Sequence, residues 1–119
     1  EFPAFYSRSS GLAVPMQLDT SVEVAAMMKA KWSLGLPGGI VVANPIPVAD
    51  EIPAQEITPH ISRALSEAKE QGIAGKSVTP FLLKRIAEIT EGRSLKANIA
   101  LVMNNARTSA EIAVAYAKA

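Results

Sequence analysis

The sequence predicts an α/β fold in which helices hold most of the residues. Two patterns carry that prediction. Gly38-Gly39-Ile40-Val41-Val42-Ala43-Asn44-Pro45-Ile46-Pro47 sets a short unbroken apolar run between paired glycines and a loop stiffened by two prolines. Such a run fits a strand buried on both faces beneath helices. Around it, four longer stretches place apolar residues at helical spacing. A lone strand cannot satisfy its own backbone groups, so its sheet partners are expected outside these residues. In open α/β sheets ligands bind beyond the carboxyl ends of strands, which makes Asn44 and its loop a candidate ligand-facing segment.

The elements follow in order. Phe2 to Leu18 holds short extended pieces, with weak strand signals at Leu12-Ala13-Val14 and Met16-Gln17-Leu18. Thr20 and Glu23 have the spacing of a capping box. From Ser21, Val22, Val24, Ala25, Met28, Ala30 and Trp32 read as a largely buried helix that Gly35 closes. Ile57, Ile61, Leu65 and Ala68 form the apolar face of a second helix, ending at Gln71-Gly72. Proline inside a helix costs about 3 kcal/mol but is welcome at its first position. Thr58 is therefore expected to cap that helix ahead of Pro59. Thr79-Pro80 repeats the logic and opens a third helix through Phe81, Leu83, Ile86 and Ile89. Ser94 is expected to cap a last helix from Leu95 to about Lys118, with Leu95, Ile99, Val102, Ala106, Ala110 and Ala113 on one side.

Composition narrows the function. The chain has 119 residues, which suits a single domain, and 49% are hydrophobic, as in a globular protein. Only 5% are aromatic and the formal charge is +1, so stacking platforms and basic footprints for nucleic acid are missing. There is no cysteine, which removes thiolate chemistry and cysteine zinc sites and suits a reducing cytoplasm. No apolar run approaches the ~18 residues that span a membrane. The opening Glu1-Phe2-Pro3 has neither an initiator methionine nor signal-peptide regions, and looks like a cut inside a longer protein.

Few residues stand out as chemistry. His60 is the one histidine and has no partner for a metal. The carboxylates lie on predicted solvated faces without an acid–base pairing. Ser7, Arg8, Ser9 and Ser10 form a polar cluster that suits either an anion or a plain surface loop. Asn104-Asn105 sits in the middle of the last helix, where asparagine is a mediocre helix former. Adjacent helical positions are about 100° apart, so one of the two at most faces a given ligand. Sequence physics alone reads the pair as solvated or bonded to a neighbouring loop.

Four segments together match a known family: Glu1–Gly11, Lys31–Pro47, Gly75–Leu83 and Ser94–Ala106. Throughout its 119 residues the chain resembles the C-terminal part of the pseudouridine-5′-phosphate glycosidases, the indigoidine synthase A-like family. The resemblance implies an α/β/α layered fold around a central mixed sheet, of which these residues form a helix-rich C-terminal portion of one domain. It implies a cytoplasmic homotrimer that uses manganese to cleave the carbon–carbon glycosidic bond of pseudouridine 5′-phosphate, giving uracil and ribose 5-phosphate. The family's Schiff-base lysine, its glutamate acid/base and the aspartate near the metal are expected upstream of Glu1. None of Lys29, Lys31, Lys76, Lys84, Lys96 and Lys118 is given the lysine's role. The resemblance assigns Asn104 or Asn105 to the substrate and reverses the solvated reading; Asn44 is a second candidate beside an Asx-type turn before Pro45. Two other readings stand: a non-catalytic helical module that assembles through its alanine-rich last helix, and a related glycosidase acting on another C-nucleotide.

Overall fold

Thr20 lies in extended backbone, and its hydroxyl accepts from the Glu23 amide at 3.2 Å while the Glu23 carboxylate accepts from the Thr20 amide at 2.9 Å. That reciprocal cap starts α1 (Ser21–Ser33), as the spacing predicts. The structure, a computed structural model, describes residues 1–119. Gly35 takes φ 66° after the helix, a conformation that suits glycine. Lys31 Nζ then donates to the carbonyls of Leu36, Pro37 and Gly38 at 3.2, 2.6 and 3.0 Å, which folds the turn back onto α1.

The next three helices begin earlier than their cap residues suggest. α2 runs Ala54–Glu70 from Pro53, and the Ile57 amide donates to the Pro53 carbonyl at 3.1 Å. Thr58 is therefore not the cap, and Pro59 lies inside the helix. Ile57 is only 3% exposed, and burying such a side chain contributes roughly 1.5–3 kcal/mol. That gain offsets the proline's disruption and carries the helix back through it. α3 runs Val78–Ile89, continuing directly from a 3-10 turn at Gly75–Ser77, so Thr79 and Pro80 fall in the first turn and Thr79 caps nothing. Pro80 is tolerated there because amides of the first turn have no helical partner. α4 runs Arg93–Lys118 from Gly92 at φ 83°. Ser94 is buried instead of capping, and its amide donates to Thr90 Oγ1 at 3.1 Å.

Residues 40–43 do not form the expected strand, and the helix-rich chain contains no sheet. None of the backbone hydrogen bonds outside the helices involves the amides or carbonyls of residues 39–44. A strand exists only with a partner strand, and no other segment of the chain pairs its backbone with these residues. The weak signals at 12–14 and 16–18 likewise reduce to one antiparallel bridge between Phe2 and Leu12.

The main core gathers Tyr6, Ile46, Ile52, Ile57, Ala64, Ile86, Ala97 and Leu101 where α2, α3 and the first half of α4 meet. α1 packs instead on the far half of α4, burying Val24, Ala25 and Ile112 and stacking Trp32 edge-on to Tyr116 at 6.5 Å. The expected burial of α1 is thus confined to one strip, since Val22 is 68% exposed. The expected apolar side of α4 also faces outward: Leu95, Ile99 and Val102 are 52%, 52% and 59% exposed. Ser94, Ala97, Leu101 and Ile112 are the buried positions instead. The accessible surface of 8073 Å² exceeds the ~6,200 Å² of a compact monomer of this mass. The radius of gyration, 17.2 Å, exceeds the ~13.5 Å of a compact domain of this length.

An ion pair ties α2 to α3. Arg85 Nε and Nη2 both donate to the Glu67 carboxylate, the latter at 3.0 Å, and Arg63 Nε adds a contact at 3.0 Å. Hydrogen bonding from Arg85 holds the Glu67 carboxyl down to about 2, below its usual range. Its pKa is lower folded than unfolded, so its stabilising contribution is present above the ordinary carboxylate value and lost as pH falls toward 2. Substituting Arg85→Met removes the largest cause and should bring the Glu67 carboxyl closer to its unfolded value, with Arg63 still lowering it. Tm, followed by circular dichroism between about pH 5 and pH 2, should then fall less steeply in the variant; parallel curves would contradict this. At the α3–α4 turn, Gly92→Ala forces a side chain into the left-handed region and should cost about 1 kcal/mol in urea unfolding.

Candidate functional site

Three consecutive residues, Asn44, Pro45 and Ile46, are held by side chains from opposite ends of the chain. From the N-terminal segment, Arg8 Nη1 donates to the Ile46 carbonyl at 2.6 Å. Its neighbours reinforce that grip. Ser7 Oγ donates to the Ile52 carbonyl at 2.5 Å, the Ile52 amide to the Tyr6 carbonyl at 2.8 Å, and the Arg8 amide to the Glu51 carboxylate at 2.9 Å. From α4, Asn104 Nδ2 donates to the Pro45 carbonyl at 3.2 Å, and Asn44 Nδ2 donates to Asn105 Oδ1 at 3.0 Å. All three asparagines singled out in the sequence therefore meet at one place.

Their roles in the structure differ. Asn104 is half-buried and its amide hydrogen bond is used on the loop. Asn105, one helical step away, is exposed and holds only Asn44. The pair is thus bonded to a neighbouring loop, as sequence physics expects, and Asn105 also offers its remaining amide valences to solvent. An amide donates and accepts without charge, so this arrangement suits an oxygen-rich polar ligand.

The polar cluster at residues 7–10 is consumed internally. Besides Ser7 and Arg8, Ser9 Oγ donates to the Glu1 carboxylate at 2.8 Å and Ser10 Oγ to the Phe2 carbonyl. The Ser9 hydroxyl and then the Gly11 amide hold the Glu1 carboxyl below its usual range. Arg8 is the residue whose contact sequence reasoning missed: its guanidinium clamps a carbonyl 38 positions away, and no local pattern signals that. No three of the histidine and carboxylate side chains lie together as a metal would require, so these residues do not fit manganese. A cleft of about 680 Å³ opens beside the clamp, lined by Arg8, Ser9, Met27, Val41, Val42 and Pro45 among others. None of the three asparagines lines it.

The clamp's residues fall inside a family match. The profile of the family described as indigoidine synthase A like protein covers residues 1–115. The chain belongs to the indigoidine synthase A-like family. Among its relatives, proteins named pseudouridine-5′-phosphate glycosidase from Nocardioides sp. and Lysinibacillus sphaericus are 62% and 60% identical over 117 and 116 residues. Each match takes in 98% of this chain but 38% of the relative, so the chain spans well under half the length of these proteins. The crystal structure of an indigoidine synthase A-like protein from Thermotoga maritima superposes with a TM-score of 0.79 at 43% identity, over 96% of this chain and 37% of the other. A prealnumycin C-glycosynthase in complex with ribulose 5-phosphate superposes at 0.76 over 97% of this chain and 39% of its own; at 24% identity it shows the fold alone.

Removing the Asn104 donor leaves the Pro45 carbonyl without its partner. Asn104→Ala should cost about 1 kcal/mol of stability and hasten hydrogen exchange over residues 43–47. Exchange unchanged from the parent chain would contradict the clamp.

Proposed function

We propose that this chain forms part of a pseudouridine-5′-phosphate glycosidase and that Asn105 contacts the substrate. The reaction is the reversible cleavage of the carbon–carbon glycosidic bond of pseudouridine 5′-phosphate to uracil and ribose 5-phosphate. What supports the activity is the 52–62% identity to relatives that bear this name. What supports the residue is its exposed amide beside a loop pinned on both sides. The Schiff-base lysine, the glutamate, the aspartate and the manganese site belong in this reading to the part of the relatives that the chain does not span. Lys31 is a poor candidate for the Schiff base, since its ammonium is held by three carbonyls.

The open surfaces fit the same reading. Residues 39–44, with unpaired backbone groups, become a strand of the central mixed sheet once neighbouring strands fill the adjoining cleft. The outward stripe of α4 is covered by other parts of the homotrimer. No helix is long and apolar enough to cross a membrane. That stripe also favours the second reading, a non-catalytic module that assembles through α4. A related glycosidase with another base is separated by comparing C-nucleotide substrates.

The test replaces the matched stretch of the Nocardioides relative with this chain. The chimaera, with manganese, should release uracil from pseudouridine 5′-phosphate, whereas the 119-residue chain alone should release none. Asn105→Ala in the chimaera should lower kcat/KM about ten- to a hundredfold, the loss of one to two good polar contacts. Turnover by the isolated chain, or an unaffected Asn105→Ala enzyme, would overturn the respective assignment.

A further inference from the structure

We infer that Asn44 is a positioning residue that acts through Asn105. Its N–H holds the Asn105 carbonyl oxygen at 3.0 Å, so the Asn105 amide is turned with its own NH2 outward, as a donor to an oxygen of the ligand. This rests on the glycosidase reading and deepens it. A free asparagine side chain presents either its oxygen or its nitrogen, because the amide rotates between the two. A donor fixed against its oxygen removes that choice.

Asn44 is well placed to impose the choice. It lies 61 positions from Asn105 in sequence, on the loop whose next two carbonyls are pinned by Asn104 and by Arg8. Asn105 rises from the middle of a 26-residue helix. Both ends of the contact are thus anchored independently of it. The hydrogen bond then has little positional work to do and decides which amide edge faces the ligand. The ligand atom that this edge selects is an acceptor oxygen. Phosphate and sugar oxygens of ribose 5-phosphate and the carbonyl oxygens of uracil share that chemistry.

The experiment substitutes Asn44→Asp and Asn44→Leu in the chimaera. In the Asn44→Asp variant an ionised carboxylate only accepts, so Asn105 must turn its NH2 inward and show its oxygen to the ligand. The same carboxyl group, once protonated, donates as the asparagine does. Relative to the unsubstituted chimaera at each pH, Asn44→Asp should lose about ten- to a hundredfold in kcat/KM near pH 8. That deficit should shrink as pH falls toward the ordinary aspartate value of about 3.9. Asn44→Leu should show a deficit that does not change with pH. Measured in the synthetic direction, the effect should fall on kcat/KM for ribose 5-phosphate if its oxygens are the acceptors, or on that for uracil if the base is. An active chimaera in which both variants show equal, pH-independent deficits, or none, overturns the positioning role and leaves the glycosidase reading intact. An unsubstituted chimaera that turns over nothing overturns that reading and this inference with it.

Discussion

The grip on Asn44-Pro45-Ile46 ties the N-terminal segment and α4 to one loop of the main core. A surface loop ordinarily leaves its carbonyls to water. Here two successive carbonyls accept from Arg8 and Asn104, side chains 96 positions apart in sequence. The grip is coupled to burial: Ile46 is fully buried and belongs to the main core with Tyr6 of the N-terminal segment and Ile52. The contacts that bury Ile46 therefore also fix the base of Asn44. Core packing and the placement of the exposed Asn105 amide are one arrangement.

Local chemistry was legible where a few neighbouring residues decide the outcome. Thr20 and Glu23 start α1 because both halves of their cap lie within four residues. Gly72, at φ 67°, ends α2 for an equally local reason. Asn104-Asn105 also stood out, since paired asparagines inside a strong helix need partners, and both have them. Helix starts were misread wherever tertiary contacts override a cap. Ile57 draws α2 back through Pro59, and the Ser94 amide donates to Thr90 Oγ1, so Ser94 lies inside α4 instead of capping it. The role of Arg8 was invisible, because a contact across 38 positions leaves no periodic trace.

The faces were harder to read than the elements, and the reason is physical. Periodicity identifies an apolar stripe without saying what covers it. On α4 the stripe of Leu95, Ile99 and Val102 points away from the core, while Ala97 and Leu101 point into it. The run at 40–43 carries the composition of a buried strand, yet its backbone has no partner among these residues. Both features, and the surface in excess of a compact monomer, describe a chain whose apolar pattern is written for more contacts than it makes with itself. That its curated relatives extend far beyond the match is consistent with this pattern.

In the proposed enzyme this grip delivers Asn105, and not Asn104, to the ligand. A crystal structure of the chimaera with ribose 5-phosphate and uracil bound tests it most directly. Asn105 Nδ2 should lie within about 3 Å of a ligand oxygen, with Asn104 still on the Pro45 carbonyl and Asn44 still on Asn105 Oδ1. A ligand that contacts Asn104 in place of Pro45, or that lies out of reach of both asparagines, would contradict it.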